Sequence, residues 1–350
     1  MDFIKMNSEE RRLARYTRRK AKRNREVVHY DECFTFNHIW ISARRCFKGV
    51  SWKTSVKNYK RRAFSNVGHA YIVLRERKHV PEKPYCFTIH NRGKERNVEG
   101  LSIGERVYQK TFSDFGLVPL VSKTLIYDNC ATLKNKGMWF CLKRLKKRYN
   151  DFMHKYGNIG YILILDFHNY FYSIDHEILY GLIKRFMDDD CCKFYCDIVN
   201  NMKGLNLGSQ LSQISAVYFA SAFDEVCQRH AIYYARYMDD SYCMFESKED
   251  LLNALDDIMN VVKSLGLEIN PKKVKIIKAS NGFTFLKKKI RYDNKVIITP
   301  KREFDRVILT KMKKLKEINP YAIRYDLVCY RPFYAKYNGY HRYLRIIHKL

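Results

Sequence analysis

The sequence predicts an α+β fold built on a split βαβ, ferredoxin-like core, and three segments predict it. Residues 161–165 (YILIL) form a short continuous apolar run after Gly160, as a buried strand does, and the run stops at Asp166. Residues 234–238 and 241–245 are two apolar strands separated only by Asp239 and Asp240, which places both acids in a tight hairpin turn. Helical periodicities fill the intervals, so the order is strand, helix, helix, strand, strand, helix, strand.

The chain has 350 residues, 46% of them hydrophobic, enough for a substantial ordered core in one to three lobes. Lysine and arginine number 66 against 36 acids, and the net charge of +30 points to a polyanionic partner, nucleic acid first. No run of about eighteen apolar residues exists, and the polar N-terminus lacks the apolar stretch of a signal sequence. The expectation is a cytoplasmic protein with no membrane partner. The eleven cysteines include Cys191, Cys192 and Cys196 but no C-x-x-C pair, so reduced and mostly buried thiols are expected.

In chain order, residues 11–25 (RRLARYTRRKAKRNR) place nine positive charges in fifteen positions. They permit a helix without an apolar face, and read either as an RNA-binding extension that orders on contact or as a disordered arm. A compact region begins near Tyr30 with Phe34, Phe36, Ile39 and Trp40, then turns basic from Arg44 through Lys53, Lys57 and Lys60 to Arg62. Such interleaving suits phosphates and bases, although rings are more often core. Residues 85–96 read as strand, turn, strand around Asn91-Arg92-Gly93, with Lys94 and Arg96 on one face.

Past Asp166, Asp175 is placed to cap a helix carrying Ile178, Leu179, Leu182, Ile183 and Phe186. Residues 210–228 are rich in small side chains that allow close helix packing. Ser247 and Asp250 form a capping-box pattern ahead of Leu251, Leu255, Ile258, Val262 and Leu265, a helix ended by Gly266. Residues 267–269 and 274–277 read as strand pieces around Asn270-Pro271, and 283–286 as a further apolar segment. In the C-terminal part Phe304, Ile308, Met312 and Leu315 share one helical face, with Lys311, Lys313, Lys314 and Lys316 elsewhere; the tyrosines of 321–343 can stack on bases or pack.

Two acids on a hairpin and a third at a strand end could converge on a pair of magnesium ions, which prefer oxygen ligands and bridge substrate phosphates. Such a pair serves in-line phosphoryl transfer. Taken alone, Asp239-Asp240 is equally an ordinary turn.

Order adds specificity. Tyr237-Met238-Asp239-Asp240 resembles the Y-x-D-D box of reverse transcriptases, and DFHNYFYSIDH (166–176) upstream resembles their D-x-x-x-[FY]-[FY]-x-x-[IV]-x-H segment. LNLGSQLSQ (205–213) is similar to the block between them, and NPKKV (270–274) and FTFL (283–286) to the two that follow. The resemblance covers roughly residues 85–290. It implies a right-hand polymerase with fingers, a split βαβ palm and a small helical thumb. The implied domains are a basic arm (1–29), fingers (30–158), palm (159–282), and a palm–thumb hairpin with a basic thumb (283–350).

By matching positions, the resemblance implies catalysis by Asp166, Asp239 and Asp240, with Phe167 joining them around two Mg2+. It implies nucleotide contacts from Lys94, Arg96, Phe171 and Lys273, Phe171 being the steric gate against a ribose 2′-hydroxyl and Lys273 assisting pyrophosphate departure. Leu207, Gly208, Ser209, Gln213, Tyr237 and Met238 would face template and primer. Implied partners are an RNA template, a DNA or RNA primer, deoxynucleotides and an accessory RNA-binding protein.

The middle block departs from the bacterial intron pattern Q-G-x-x-x-S-P, because Leu207 replaces the glutamine and Gln213 the proline. L-G-S-Q-L-S-Q is similar to the signature of diversity-generating retroelement enzymes, which misincorporate opposite template adenines. An antiphage-defence reverse transcriptase and an idle nucleic-acid-binding protein on the same fold are the alternatives. About sixty residues follow the last block, too few for an RNase H domain; no HNH endonuclease pattern appears, and the valine-threonine-glycine triplet of retron enzymes is missing.

Overall fold

The protein is described by a computed structural model over residues 27–91 and 94–350, without the side chains of 90–94, 96 and 97. The basic segment 11–25, Arg92 and Gly93 therefore lie outside the described residues, as do the side chains of Lys94 and Arg96. The described chain starts with α1 (Tyr30–Cys33), α2 (Phe36–Phe47), α3 (Thr54–Arg61) and α4 (Ala63–Arg75). A hairpin of β1 (Tyr85–Asn91) and β2 (Lys94–Gly100) follows, then α5 (Ile103–Thr111), a π-helical stretch (Phe112–Leu117), α6 (Val118–Thr124) and α7 (Met138–Tyr156).

β3 (Tyr161–Asp166) leads through α8 (His176–Ile183), α9 (Asp189–Asn200), α10 (Gln210–Phe219) and α11 (Ser221–His230) to β4 (Tyr233–Tyr237) and β5 (Asp240–Phe245). After α12 (Lys248–Ser264) and β6 (Lys275–Lys278) come β7 (Phe283–Phe285), β8 (Lys288–Asp293), β9 (Lys295–Pro300), α13 (Arg302–Ile318), α14 (Ala322–Lys336) and α15 (Tyr340–His348).

Local chemistry sets many of these boundaries. Asp175 accepts the Ile178 N–H at 2.9 Å and so caps α8, while Asp188 caps α9 through Cys191 N. Ser247 accepts from Asp250 N, as expected of the cap ahead of α12, and its hydroxyl donates to the Asp250 carboxylate, where a capping box would have that carboxylate accept the Ser247 backbone N–H. Each such cap satisfies a helix-end donor that otherwise lacks a partner, a contribution of about 1 kcal/mol.

The chain forms two compact units. One comprises the described part of Met1–Lys134 with His168–Glu225 and Val261–Glu268; the other comprises Asn135–Phe167, Val226–Asn260 and Ile269–Leu350. In the first, α2 packs against α4 and α5, and α10 against α5, while Phe34, Phe112 and Phe194 meet with ring centroids 4.8–5.9 Å apart.

In the second, four strands form an antiparallel sheet of order β4-β5-β3-β6. Numbered along the chain this is 2-3-1-4, the split βαβ order. A second sheet, β7-β8-β9, extends the short apolar segment at 283–285 into three strands. The helices after it close their own core around Ile308, Met312, Tyr334, Tyr343 and Ile346, with Phe304 and Leu315 against it, so the face anticipated for α13 is the packed one. The Lys288 ammonium, at the start of β8, lies 3.7 Å from the Phe333 ring centroid and 4.5 Å from that of Tyr337, holding sheet and helices together by cation–π attraction.

Two local expectations need correction. Asp240 is not in the hairpin turn: it pairs with Tyr237 as the first residue of β5, leaving only Met238 and Asp239 to turn the chain. Residues 267–269 are not a strand; Ile269 makes a single bridge to Phe167, because Asn270 turns the backbone back onto Asp166. All eleven cysteines are free and seven are buried, as expected of reduced thiols.

Candidate active site

Register brings the carboxylates together. β3 and β5 pair with Asp166 directly opposite Asp240, so both side chains leave the same face of the sheet. Directly opposed residues have Cβ atoms about 5 Å apart, and like charges there repel. Asp239 follows from the turn, and its carbonyl accepts the Phe167 N–H at 3.4 Å, tying the turn to the end of β3.

The turn itself is strained. Met238 has φ +56, a left-handed conformation that costs a side chain with a Cβ about 1 kcal/mol or more. Arg236, fully buried one strand residue before Tyr237, donates to the Met238 carbonyl at 2.9 Å and so braces that conformation. Tyr237 and Met238 are half-buried at the turn.

Lys273 closes the cluster. The loop after Asn270 bends back through Asn270 N–H to the Asp166 carbonyl (2.8 Å) and Lys273 N–H to the Asn270 carbonyl (2.9 Å). This sets the Lys273 ammonium 2.6 and 2.7 Å from the two Asp166 carboxylate oxygens. Burial, then the Asp239 charge and contact with Asp166, push the Asp240 carboxyl up to about 7. Burial also raises Asp239, with Asp166 adding to it. Burial pulls the Lys273 ammonium down, but its hydrogen bonds to Asp166 outweigh that and keep it above the ordinary lysine value.

Among the described residues, no group of three or more His, Cys, Asp or Glu side chains stands ready-made around a metal position. The donor chemistry nevertheless suits a hard cation: carboxylate oxygens alone, those of Asp239 and Asp240 raised in pKa first by burial and then by neighbouring carboxylates, with one ammonium offsetting their charge.

Other residues singled out in the sequence belong to the first unit. Phe171 lies in a 3-10 turn (Tyr170–Ser173), its carbonyl accepting Leu205 N–H at 2.7 Å. Lys94 and Arg96 occupy alternate positions of β2, opposite Asn91 and Ile89. Leu207 is 43% exposed and its carbonyl receives the Gln213 side-chain amide at 3.4 Å; Gly208 is exposed, and buried Ser209 caps α10.

Sequence reasoning missed what holds this block. Ser209 Oγ donates to Gln109 Oε1 (2.5 Å), Gln109 Nε2 donates to Glu105 (2.8 Å), and Glu105 lies 3.0 Å from His79 Nε2, all buried on α5 or beside it. The only local signal was a glutamate and a glutamine four apart on a helix. Arg236 was missed too, being a lone cation inside an apolar strand.

Replacing Arg236 with Met keeps the bulk and removes the donor to Met238. The expected result is a loss of about 1–3 kcal/mol in chemical denaturation, the cost of a part-buried carbonyl and a buried strand position without their charged hydrogen bond. A stability equal to wild type would show that the turn stands without it.

At one end of its antiparallel sheet of split βαβ order the chain gathers three carboxylates and a lysine. A family model of the reverse transcriptase (RNA-dependent DNA polymerase) matches residues 80–290, more than half of the chain, and the chain belongs to that family. It is an RNA-directed DNA polymerase, a nucleotidyltransferase that binds an RNA template and a primer. No curated protein matches it. Among the described residues, no helix is long and apolar enough to cross a membrane.

Proposed function

We propose that the chain copies an RNA template into complementary DNA at the Asp166, Asp239 and Asp240 cluster, as a right-hand polymerase with fingers over 30–158, palm over 159–282 and thumb over 283–350. The observation that carries this reading is the pairing of Asp166 with Asp240, with Asp239 on the adjoining turn. Reverse transcriptases use Mg2+, and here the three carboxylates, with the main-chain carbonyl of Phe167, would hold two ions. Ions held there would supply a lowered pKa for a primer 3′-hydroxyl and charge stabilisation for the leaving pyrophosphate.

The chain's own residues do the rest. Lys273 keeps its proton and offsets negative charge beside Asp166, which suits it to a departing pyrophosphate. Lys94 and Arg96 meet the triphosphate, and Phe171 fills the space of a 2′-hydroxyl. Tyr237, Met238, Leu207, Gly208, Ser209 and Gln213 face the primer and template. The eleven free thiols suit a reducing compartment such as the cytoplasm.

The altered middle block supports error-prone copying in a diversity-generating retroelement, with an accessory RNA-binding protein as partner. Leu207 has no amide with which to judge a base pair, and the Gln213 amide is turned back onto the Leu207 carbonyl.

The test is deoxynucleotide incorporation on an RNA template with a DNA primer and magnesium, comparing wild type with Asp239→Asn and sequencing the products. Synthesis by wild type and none by the variant is expected, and undiminished synthesis by the variant removes the site. Errors gathered at template adenines are the diversifying signature; an even spectrum rejects it.

A further inference from the structure

The two legs of the β1–β2 hairpin meet at one buried carboxylate. Glu105 lies just past the exit leg, and its Oε2 accepts from His79 Nε2 (3.0 Å) and from Glu82 N–H (3.5 Å) on the entry leg. Its Oε1 accepts from Gln109 Nε2 at 2.8 Å, and Gln109 Oε1 accepts from Ser209 Oγ at 2.5 Å, at the start of α10. The side chains of His79, Glu105, Gln109 and Ser209 are all buried.

Hairpin and middle block also meet directly. Gly208 lies so near the base of β2 that a Cβ there would stand 3.2 Å from the Glu99 carbonyl oxygen. His79 is held in place by the rings of Tyr108 and Phe194, whose centroids are 4.6 and 5.0 Å from its own.

The chain of hydrogen bonds has a direction, and Glu105 sets it. A carboxylate only accepts, so the Gln109 amide must turn its NH2 group toward Glu105 and its oxygen toward Ser209. Ser209 must then donate, which leaves its lone pairs for the Ser212 N–H that it caps at 3.4 Å. Burying a carboxylate is costly, and an apolar side chain would pack this face of α5 at lower cost. Among the described residues, no lysine or arginine forms an ion pair with Glu105. Its charge serves orientation rather than stability.

We propose that Glu105 and Gln109 are positioning residues that act through Ser209, holding the middle block in one place against the hairpin so that selection of the incoming base depends on them. This rests on the polymerase reading, in which the middle block faces the template and the hairpin meets the triphosphate.

The test compares Glu105→Gln, which keeps the shape but lets the amides flip, with the swap Glu105→Gln plus Gln109→Glu, which returns an acceptor-only carboxylate to face Ser209. Each full chain is assayed for kcat/KM with matched and mismatched deoxynucleotides opposite a template cytosine, away from adenine-directed errors, and for backbone hydrogen exchange over 205–212 without substrates. Glu105→Gln is expected to lower the matched-to-mismatched ratio about tenfold. Exchange in the block quickens about tenfold. The swap recovers both to within about twofold of wild type. Ser209→Ala lowers the ratio as Glu105→Gln does, and combining the two lowers it no further, because both act through one hydroxyl.

An unchanged ratio in Glu105→Gln, or an equal fall in the swap, overturns the proposal; if Glu105→Gln does not fold, an unchanged ratio in Ser209→Ala does so. Leu207→Ala reports on the polymerase reading separately. No change there removes the middle block from base selection, whereas a change there with none in Glu105→Gln removes the positioning role alone.

Discussion

Asp240→Asn is expected to lower incorporation about a thousandfold while raising the melting temperature of the chelator-treated protein. The loss follows from removing one of three carboxylates that would hold the catalytic ions, an effect of several kcal/mol on the transition state. The gain follows from the register, which sets Asp240 opposite Asp166 and beside Asp239. An asparagine relieves that repulsion and keeps the shape.

The pH dependence has a definite sign. The folded-state pKa of Asp240 is raised to about 7, above the ordinary carboxyl value near 4, so its contribution to metal-free stability is complete below about pH 4 and is lost as pH rises through 7. Asparagine does not titrate, so the stability advantage of the variant opens between those values. Each kcal/mol of relief appears as roughly 1–2 °C in the melting of a chain this long. Equal melting of both proteins at pH 8 in chelator would show that the carboxylates do not crowd one another; retained synthesis would show that Asp240 is not needed.

Phe171→Ala is expected to raise ribonucleotide incorporation about 10- to 100-fold relative to deoxynucleotide, measured as the ratio of kcat/KM values. A hydroxyl forced against a fixed ring costs about 1–3 kcal/mol, which corresponds to that range. The backbone of Phe171 is fixed. Its carbonyl accepts Leu205 N–H, and Gly204, at φ +63, approaches so closely that a Cβ there would lie 2.5 Å from the Phe171 oxygen. An unchanged ratio in the variant would remove Phe171 from sugar selection.

The parts of this site that rest on local pattern were legible in the sequence. An apolar run ending in Asp166 and two short strands around Asp239 and Asp240 need only the period of a strand and the length of a turn. The caps at Asp175 and Ser247 are likewise decided within three residues. The bracing of the turn by Arg236, the seat of Lys273 against Asp166 and the Glu105–Gln109–Ser209 chain were not legible, because each joins groups whose meeting depends on how distant segments pack. The position of Asp240 was misjudged for a related reason: the pairing of Tyr237 with Asp240 is a property of two strands, and one strand's sequence does not show where the ladder ends.

By itself, then, the sequence determined the kind of elements, their order, the charge of the chain and the residue types available for chemistry, since these follow from periodicity, capping and composition. Only the tertiary structure decided which carboxylates stand opposite one another, which cation answers them, and which rings near the N-terminal helices are left in solvent. Those outcomes depend on strand register and burial, which are set by the whole sheet and its packed helices at once rather than by any window of the chain.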